Sequence, residues 1–272
     1  MSRNYYCLIA GMPEIVFDQK KLLFKQDEFK TFLQEGLHPD DFSTINNLYY
    51  SFDNENIINI LIKKENDKFN NLGNYGINQL TDNLKEPENL VSYLKTFVEE
   101  YNDFDNNQGV VYWEKRLQYL YYNYLKTIDN QLLKLWFEFE FMLKTITTAI
   151  NARKYSLNPE EQLIIINEDI LAIAKSGSKD FGLSIDLPVI EKILLIYESD
   201  NLMKREEAID MLKWQWLDDA TTFEYFSFEL VIAILIKLRI ADRWFNLDTE
   251  KGKLLFTKLL NEIKSNYKFE NQ

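Results

Sequence analysis

Histidine and cysteine are nearly absent from this chain of 272 residues, which contains one of each. Because Cys7 is the only cysteine, no disulfide can form within the chain. Cys7 lies in an apolar run, so we predict that it is buried as a small hydrophobic side chain. The single histidine, His38, precedes Pro39 and is predicted to begin a helix. A lone histidine excludes a site built from several histidines, whether for a metal or for acid–base catalysis.

The glycine-rich motifs that bind nucleotide phosphates are also lacking. The chain contains neither Gly-x-Gly-x-x-Gly nor Gly-Lys-Ser/Thr. The segment from Leu72 to Gly76 has two glycines but no strand before it, so we interpret it as a turn. Glu138 and Glu140 fall on different sides of a helix, where each can pair with a lysine four residues away, Lys134 or Lys144. We therefore predict no catalytic, cofactor-binding or metal site; an enzyme with paired carboxylates is the alternative.

Positive charge is scarce, and this limits the partners. The chain has 31 Lys and Arg against 43 Asp and Glu, which gives a net charge of −12. Nucleic acid binds basic surfaces, so it is excluded as the main partner.

Long apolar runs are scarce as well. The longest mostly apolar stretch, Phe226 to Ile236, is interrupted by Glu229 and is too short to cross a bilayer. Residues 1–6 lack the apolar region and the cleavage site of a signal peptide. We therefore predict a cytoplasmic protein without direct membrane insertion, either free or attached to something that is itself in a membrane.

Glycine and proline are missing from one long stretch, and this predicts a helix. Neither residue occurs between Gly109 and Pro159, and apolar residues recur there every three or four positions. We predict one very long helix near residues 110–155. If continuous, it would be a rod of roughly 65 Å.

Helix signals cover most of the remaining chain, and no period-two alternation competes with them. We predict a short strand or extended arm at Tyr5 to Ala10, and an Asn-rich loop with at most one helical turn at Asn66 to Asn83. Thr221 to Glu224 reads as a capping box that opens an apolar helix. The other predicted helices cover residues 27–34, 57–62, 87–102, 159–175, 188–198, 201–218 and 249–267, with a further start near Pro39. The predicted fold class is all-α.

Three aromatic–acidic pairs suggest an internal repeat. Phe52-Asp53, Phe139-Glu140 and Phe228-Glu229 lie 87 and 89 residues apart, and each is followed by an apolar run with a basic residue near its end. The prediction is one helical body over 1–272 with subdomains 1–86, 87–187 and 188–272. Such pairs are common in this chain, so an unrepeated helical body is the alternative.

Arginine supplies the candidates for partner contact. There are six arginines against 25 lysines, and Arg153, Arg239 and Arg243 lie on apolar helical stretches. They hold carboxylates such as Asp242 or Glu229, or they reach acidic residues of a partner. Aromatic clusters present the same choice between packing and binding. These are the tyrosines at 119, 121, 122 and 124 and the tryptophans at 214 and 216.

Several stretches together resemble an uncharacterised bacterial family whose members are encoded among the subunits of V/A-type rotary ATPases, in the position of the C subunit (called d in eukaryotes). The residues that carry this resemblance are Tyr5 through Pro13, Phe52-Asp53-x-x-Asn56-Ile57, Phe139-Glu140-Phe141 through Asn151 to Tyr155, and Trp214-x-Trp216-Leu217 through Arg243-Trp244 with Gly252. Asp53-x-x-Asn56-Ile57-x-x-x-Leu61 is also similar to acidic-x-x-Asn-Ile-x-x-x-Leu stretches of the C subunit itself. The asparagine is missing from the other two candidate units.

The resemblance implies a mechanical role in ion transport, proton transport included. A C-like subunit is all-helical, with three related units around a funnel, and it connects the rotor shaft to the membrane ring without catalysing a reaction. It implies a peripheral location at the inner membrane, held there by the other ATPase subunits. The alternatives are a helical scaffold or regulator with other cytoplasmic partners and, less favoured, a small-molecule enzyme.

Overall fold

Helices joined by short connections make up the chain, as the prediction of an all-α fold required. A computed structural model describes residues 3–17, 24–63, 68–103, 108–183, 187 and 189–246. Within these ranges there are twelve α-helices and no strands. The helices are α1 (Tyr6–Ala10), α2 (Gln26–Gly36), α3 (Pro39–Ile57), α4 (Ile77–Asn83), α5 (Ser92–Asp103), α6 (Val110–Leu125), α7 (Gln131–Lys154), α8 (Pro159–Gln162), α9 (Glu168–Lys175), α10 (Ile190–Tyr197), α11 (Leu202–Ala220) and α12 (Phe228–Asn246).

The single long helix predicted over 110–155 is wrong, because α6 and α7 are separate and fold back on each other. The side chain of Asn130 accepts a hydrogen bond from the backbone N–H of Leu133 at 2.9 Å and so caps a new helix. The rings of Tyr122 and Phe141 are 4.3 Å apart, which brings positions on both sides of the turn together. A hairpin buries apolar residues of both helices that a straight rod would leave exposed.

The N-terminal arm is also different from the prediction. Residues 6–10 form the short helix α1, whose end is closed by the backbone N–H of Gly11. Before this helix, Asn4 forms an isolated antiparallel bridge with Ser227. Leu8 is buried, whereas Cys7 is exposed, so the predicted burial of Cys7 is wrong.

The predicted capping box at Thr221 to Glu224 does not open a helix. Thr221 lies just beyond α11, where its Oγ1 donates to the carbonyl of Leu217 at 2.7 Å. The helix α12 begins later, and the Oγ of Ser227 accepts from the N–H of Leu230 at 3.3 Å. A threonine hydroxyl can either cap a following helix or donate to a carbonyl one turn back. In this structure Thr221 donates to the carbonyl of Leu217.

Two more predicted helices have different boundaries. The one expected over 159–175 is split, because Asn167 caps α9 separately with its Oδ1 at 3.0 Å from the N–H of Ile170. Pro87 opens a three-residue 3₁₀ turn, and α5 follows from Ser92. Residues 58–63 continue α3 as a π-helical segment.

Several predicted helix starts are confirmed. The Nδ1 of His38 accepts from the N–H of Asp40 at 3.3 Å at the start of α3. Asn158 caps α8 in the same way through the N–H of Glu160 at 3.1 Å. The predicted start at Pro188 and the last predicted helix, 249–267, lie outside the described residues.

The chain divides into two compact units. The terminal unit comprises residues 1–37 and 214–272, and the central unit comprises residues 38–213. In the terminal unit, α2 packs on α12, with Phe29, Leu33 and Leu235 fully buried. The predicted subdomains 1–86, 87–187 and 188–272 stay a prediction.

Three consecutive helices of the central unit, α5, α6 and α7, run antiparallel. Trp113 of α6 contacts Phe97 and Tyr101 of α5, at ring distances of 5.8 and 4.9 Å. The guanidinium of Arg116 binds both carboxylate oxygens of Glu100, at 2.7 and 2.5 Å. A second core forms where α9 and α10 cover α7. Across the described ranges, no helix combines the length and apolarity needed to cross a membrane.

Candidate functional site

Two polar side chains of α3, Asp53 and Asn56, are completely buried, each with 0% exposure. They are three residues apart and therefore lie on the same side of the helix. Both belong to Phe52-Asp53-x-x-Asn56-Ile57, one of the stretches that carry the family resemblance. A buried carboxylate is costly unless hydrogen bonds replace its lost hydration, so its partners reveal its role.

Both side chains form hydrogen bonds with one segment, residues 70–75. The two oxygens of Asp53 accept from the N–H of Asn74 at 2.9 Å each, from its Nδ2 at 3.0 Å, and from the N–H of Tyr75 at 3.2 Å. Asn56 donates from Nδ2 to the carbonyl of Asn70 at 2.9 Å and accepts from the N–H of Asn70 at 2.7 Å. Asp53 and Asn56 thus form a clamp that holds residues 70–75 against α3.

Gly73 lies where this segment comes closest to the clamp. A Cβ added at Gly73 would be 2.3 Å from Oδ1 of Asp53 and 3.3 Å from Nδ2 of Asn56. Only glycine fits at that distance without moving the chain. The predicted turn at 72–76 is confirmed, and the reason for its first glycine is close approach to a buried carboxylate.

Tyrosines surround the clamped segment. The hydroxyl of Tyr75 accepts from the N–H of Val91 at 2.9 Å, and that of Tyr93 donates to Oδ1 of Asn54 at 2.7 Å. The ring of Tyr93 is 5.0 Å from that of Tyr124 and 6.0 Å from that of Tyr50.

Burial raises the pKa of Tyr50, Tyr75, Tyr93 and Tyr124 above the ordinary value. Nearby tyrosines and the carboxylate of Asp53 raise the pKa of Tyr50, Tyr75 and Tyr93 further. Hydrogen bonds offset part of the rise in pKa at Tyr75, through the N–H of Val91 and Tyr50, and at Tyr124, through Tyr50. All four hydroxyls therefore stay protonated and act as hydrogen-bonding groups of a packed region. The packing interpretation of the tyrosines at 119, 121, 122 and 124 is confirmed, since all four are buried or half-buried.

Arg153, one of the three candidate contact residues, holds a loop of its own unit. Its two terminal nitrogens donate to the carbonyls of Ser178 and Ser176, at 2.6 Å each. Its guanidinium also lies 3.7 Å from the centre of the Phe181 ring. Burial lowers the pKa of Arg153. These contacts give Arg153 a structural role that involves backbone carbonyls.

The other two candidates lie on α12. Arg239 is half-buried, and Arg243 is exposed with its guanidinium 5.4 Å from the centre of the Trp244 ring. Asp242, which we considered as an arginine partner, accepts a hydrogen bond from Nε2 of Gln26. A contact of Arg153, Arg239 or Arg243 with a partner stays a prediction.

The carboxylates considered for catalysis are separated. Oε1 of Glu140 is 3.3 Å from Nζ of Lys213, so its predicted pairing with Lys144 is wrong. Lys144 instead donates to Oε1 of Gln118 at 2.7 Å across the hairpin. Glu138 lines a pocket of about 30 Å³. That volume is enough for one or two water molecules.

A larger cleft of about 230 Å³ opens between α6, α7 and the end of α8. Lys115, Gln118, Lys144 and Thr148 line it without Glu138 or Glu140, so it does not bring the two carboxylates together. In the part of the chain that the structure describes, no three His, Cys, Asp or Glu side chains form a group that could hold a metal ion.

Sequence reasoning missed the clamp, although its signals were present. Asp53 and Asn56 have the spacing of one helix face, and an Asn-rich segment with two glycines follows them. The asparagines indicated a loop correctly up to Gly76, but residues 77–83 form the helix α4, so the prediction of at most one helical turn in this stretch is wrong. Which side chain the loop meets depends on how the segment folds back.

Comparison with known proteins gives one match. No curated protein and no solved structure matches the chain. The family model described as "Protein of unknown function (DUF2764)" matches residues 1–267. Because this match spans almost the whole sequence, the chain belongs to the DUF2764 family.

Proposed function

We propose that this chain is a non-catalytic, C-like (d-like) subunit in the central stalk of a V/A-type rotary ATPase, where it couples the rotor shaft to the membrane ring. The observation that carries the proposal is the clamp. Asp53 and Asn56 belong to the stretch that is similar to the C subunit, and both are completely buried and bonded to the chain's own backbone. Their hydrogen bonds fix residues 70–75 to α3. A rigidly held segment of this kind supports a mechanical function.

Stiffness is what such a role requires. A subunit that transmits torque must resist deformation at the joints between its helices, where loops are the most compliant parts. In the central unit, side-chain hydrogen bonds hold two of these connections. The clamp holds residues 70–75, and Arg153 holds the carbonyls of residues 176 and 178.

The proposed location follows from the proposed partners. The chain would lie on the cytoplasmic side of the inner membrane, attached through the rotor shaft and the membrane ring, with no inserted segment of its own. Its acidic net charge of −12 suits basic protein surfaces.

Affinity capture of the tagged full-length protein from its native membranes tests the proposal. We expect the nucleotide-binding and rotor subunits to co-purify, with this chain in near-equal ratio to the shaft. Gly73→Ala, which breaks the clamp, should reduce recovery, while Gly76→Ala, with open space around its Cβ, should not. Recovery of the protein without ATPase subunits, while a different C-like subunit fills the stalk, would overturn the proposal.

A helical scaffold with other cytoplasmic partners is the second candidate. The observation that favours it is a group of exposed aromatic side chains in the terminal unit, which any protein partner could bind. Under this alternative, the same capture would recover a partner that is not an ATPase subunit, in a fixed ratio to the chain.

A further inference from the structure

Four aromatic side chains of the terminal unit are unusually exposed. Tyr6 is 57% exposed, Phe223 86%, Tyr225 70% and Phe226 39%. The rings of Tyr6 and Phe226 are 4.7 Å apart, and Phe223 and Tyr225 lie within three residues of Phe226. We call these four residues the aromatic patch. Large apolar side chains grouped on a surface mark interaction sites more often than scattered ones do.

The backbone beneath the aromatic patch is held in place. The N–H of Tyr5 donates to the carbonyl of Phe226 at 2.7 Å, next to the bridge between Asn4 and Ser227. At the other end of the loop, the N–H of Glu224 donates to the carbonyl of Thr221 at 3.0 Å. The aromatic side chains are thus presented from an anchored loop, so binding would lose little backbone freedom.

Two acidic residues lie beside the aromatic patch, and Arg3, next to Asn4, is the basic residue nearest to it in the N-terminal segment. Asp219 and Glu224 lie within this loop or just before it, and neither has an ion-pair partner among the described residues. Asp218 is already paired with Lys237. No Lys or Arg occurs from residue 214 to residue 236. A partner that fits this surface has basic groups around an apolar pocket.

We propose that the aromatic patch is the surface by which this chain docks onto a rotor subunit, whose matching surface is an apolar pocket rimmed by Lys and Arg. Phe223 and Tyr225 are the anchors, since they are the most exposed members and tyrosine is among the residues that dominate binding at interfaces. Asp219 and Glu224 orient the partner through its basic rim. This inference rests on the proposed function, because it takes the rotor as the partner.

The test measures binding of the full-length protein to purified rotor, composed of shaft and membrane ring, from cells that lack this chain. The double variant Phe223→Ala/Tyr225→Ala should bind at least about 30-fold more weakly than wild type. The control is Leu195→Ala, which truncates an exposed side chain of the central unit and should leave binding unchanged. Asp219→Asn/Glu224→Gln should make binding less sensitive to salt.

Cys7 supplies a second readout in the wild-type chain, so the proposal does not depend on variants that fold. Cys7 is exposed and follows Tyr6 in α1, at the border of the aromatic patch. We expect iodoacetamide to modify Cys7 readily in the free protein and at least about tenfold more slowly in the bound protein, because buried thiols react poorly.

The outcomes separate the two proposals. If wild type does not bind the rotor, the proposed function fails and the docking inference fails with it. If wild type and the double variant bind equally, or if Cys7 stays reactive in the complex, the docking inference alone is overturned. Slow modification of Cys7 in the free full-length protein would also overturn it, because the chain would then cover its own aromatic patch.

Discussion

At the scale of single residues, Asp53 shows what a buried carboxylate requires. Removing a carboxylate from water costs several kcal/mol, and hydrogen bonds from positioned N–H groups offset that cost. Asp53 receives such bonds from Asn74 and Tyr75, which lie more than twenty residues away in the sequence. These hydrogen bonds therefore make the stability of α3 and that of residues 70–75 depend on each other.

Gly73→Ala tests the clamp directly. The added methyl group would collide with Oδ1 of Asp53, so the segment must move and buried hydrogen bonds must lengthen or break. We expect a loss of about 2–4 kcal/mol in the free energy of unfolding, measured by urea denaturation. Gly76→Ala is the control, because nothing lies within 4 Å of its added Cβ and its stability should change by less than about 1 kcal/mol. Equal effects of the two substitutions would contradict the clamp.

The tyrosines around the clamp predict how stability depends on pH. Burial raises the pKa of Tyr50 in the folded protein, so the unfolded chain loses this proton first as the pH rises. The stabilisation is fully present below pH 10 and declines as the pH rises from there towards the folded-state pKa. The slope is at most about 1.4 kcal/mol per pH unit for each proton that the folded protein keeps and the unfolded chain loses, and it is smaller for the half-exposed Tyr75 and Tyr124.

Urea denaturation of wild type and of Tyr50→Phe from pH 8 to pH 11 tests this prediction. The free energy of unfolding of Tyr50→Phe should fall less steeply at alkaline pH than that of wild type. Tyr155→Phe, which changes an exposed tyrosine, is the control and should follow the wild-type profile. If Tyr50→Phe kept the full wild-type slope above pH 10, burial of this hydroxyl would not be the cause.

At the scale of elements, the turn between α6 and α7 includes a helix cap at Asn130. Asn130 accepts from the N–H of Leu133, and without that acceptor the first turn of α7 has an unsatisfied donor. No glycine or proline occurs at this break, so residue periodicity alone continues straight through it. The cap and the contacts across the hairpin, such as Tyr122 with Phe141, select the folded-back arrangement.

Asn130→Ala should lower the free energy of unfolding by about 1 kcal/mol, because alanine cannot accept this hydrogen bond. Asn130→Asp and Asn130→Ser keep an acceptor at the position and should stay close to wild type. Thermal or urea unfolding of the three variants checks this. A similar loss in all three would mean that the asparagine amide matters for a reason other than capping.

At the scale of the whole molecule, we expect a destabilising substitution in one compact unit to lower the local stability of that unit and not of the other. The clamp lies in the central unit, and the packing of α2 on α12 lies in the terminal unit. Local stability follows the contacts within such units, which open with different free energies.

Native-state hydrogen exchange of Gly73→Ala tests this separation. We expect amides of α3 and α5 to lose protection by a factor of ten or more, since each 1.4 kcal/mol corresponds to about tenfold in the opening equilibrium. The amides of α12 should exchange at wild-type rates. Equal loss of protection in α12 would show that the chain unfolds as one cooperative unit.

By itself, the sequence determined the all-α class and helix starts such as those at His38 and Asn158. Helical periodicity and capping act over one or two turns, so local residues suffice to specify them. Only the tertiary structure decided that the predicted rod folds back, that Asp53 is clamped to Asn74, and that Cys7 faces outwards. These features depend on contacts between residues that are distant in sequence and meet only after folding. The sequence around each residue does not indicate which of these contacts will form.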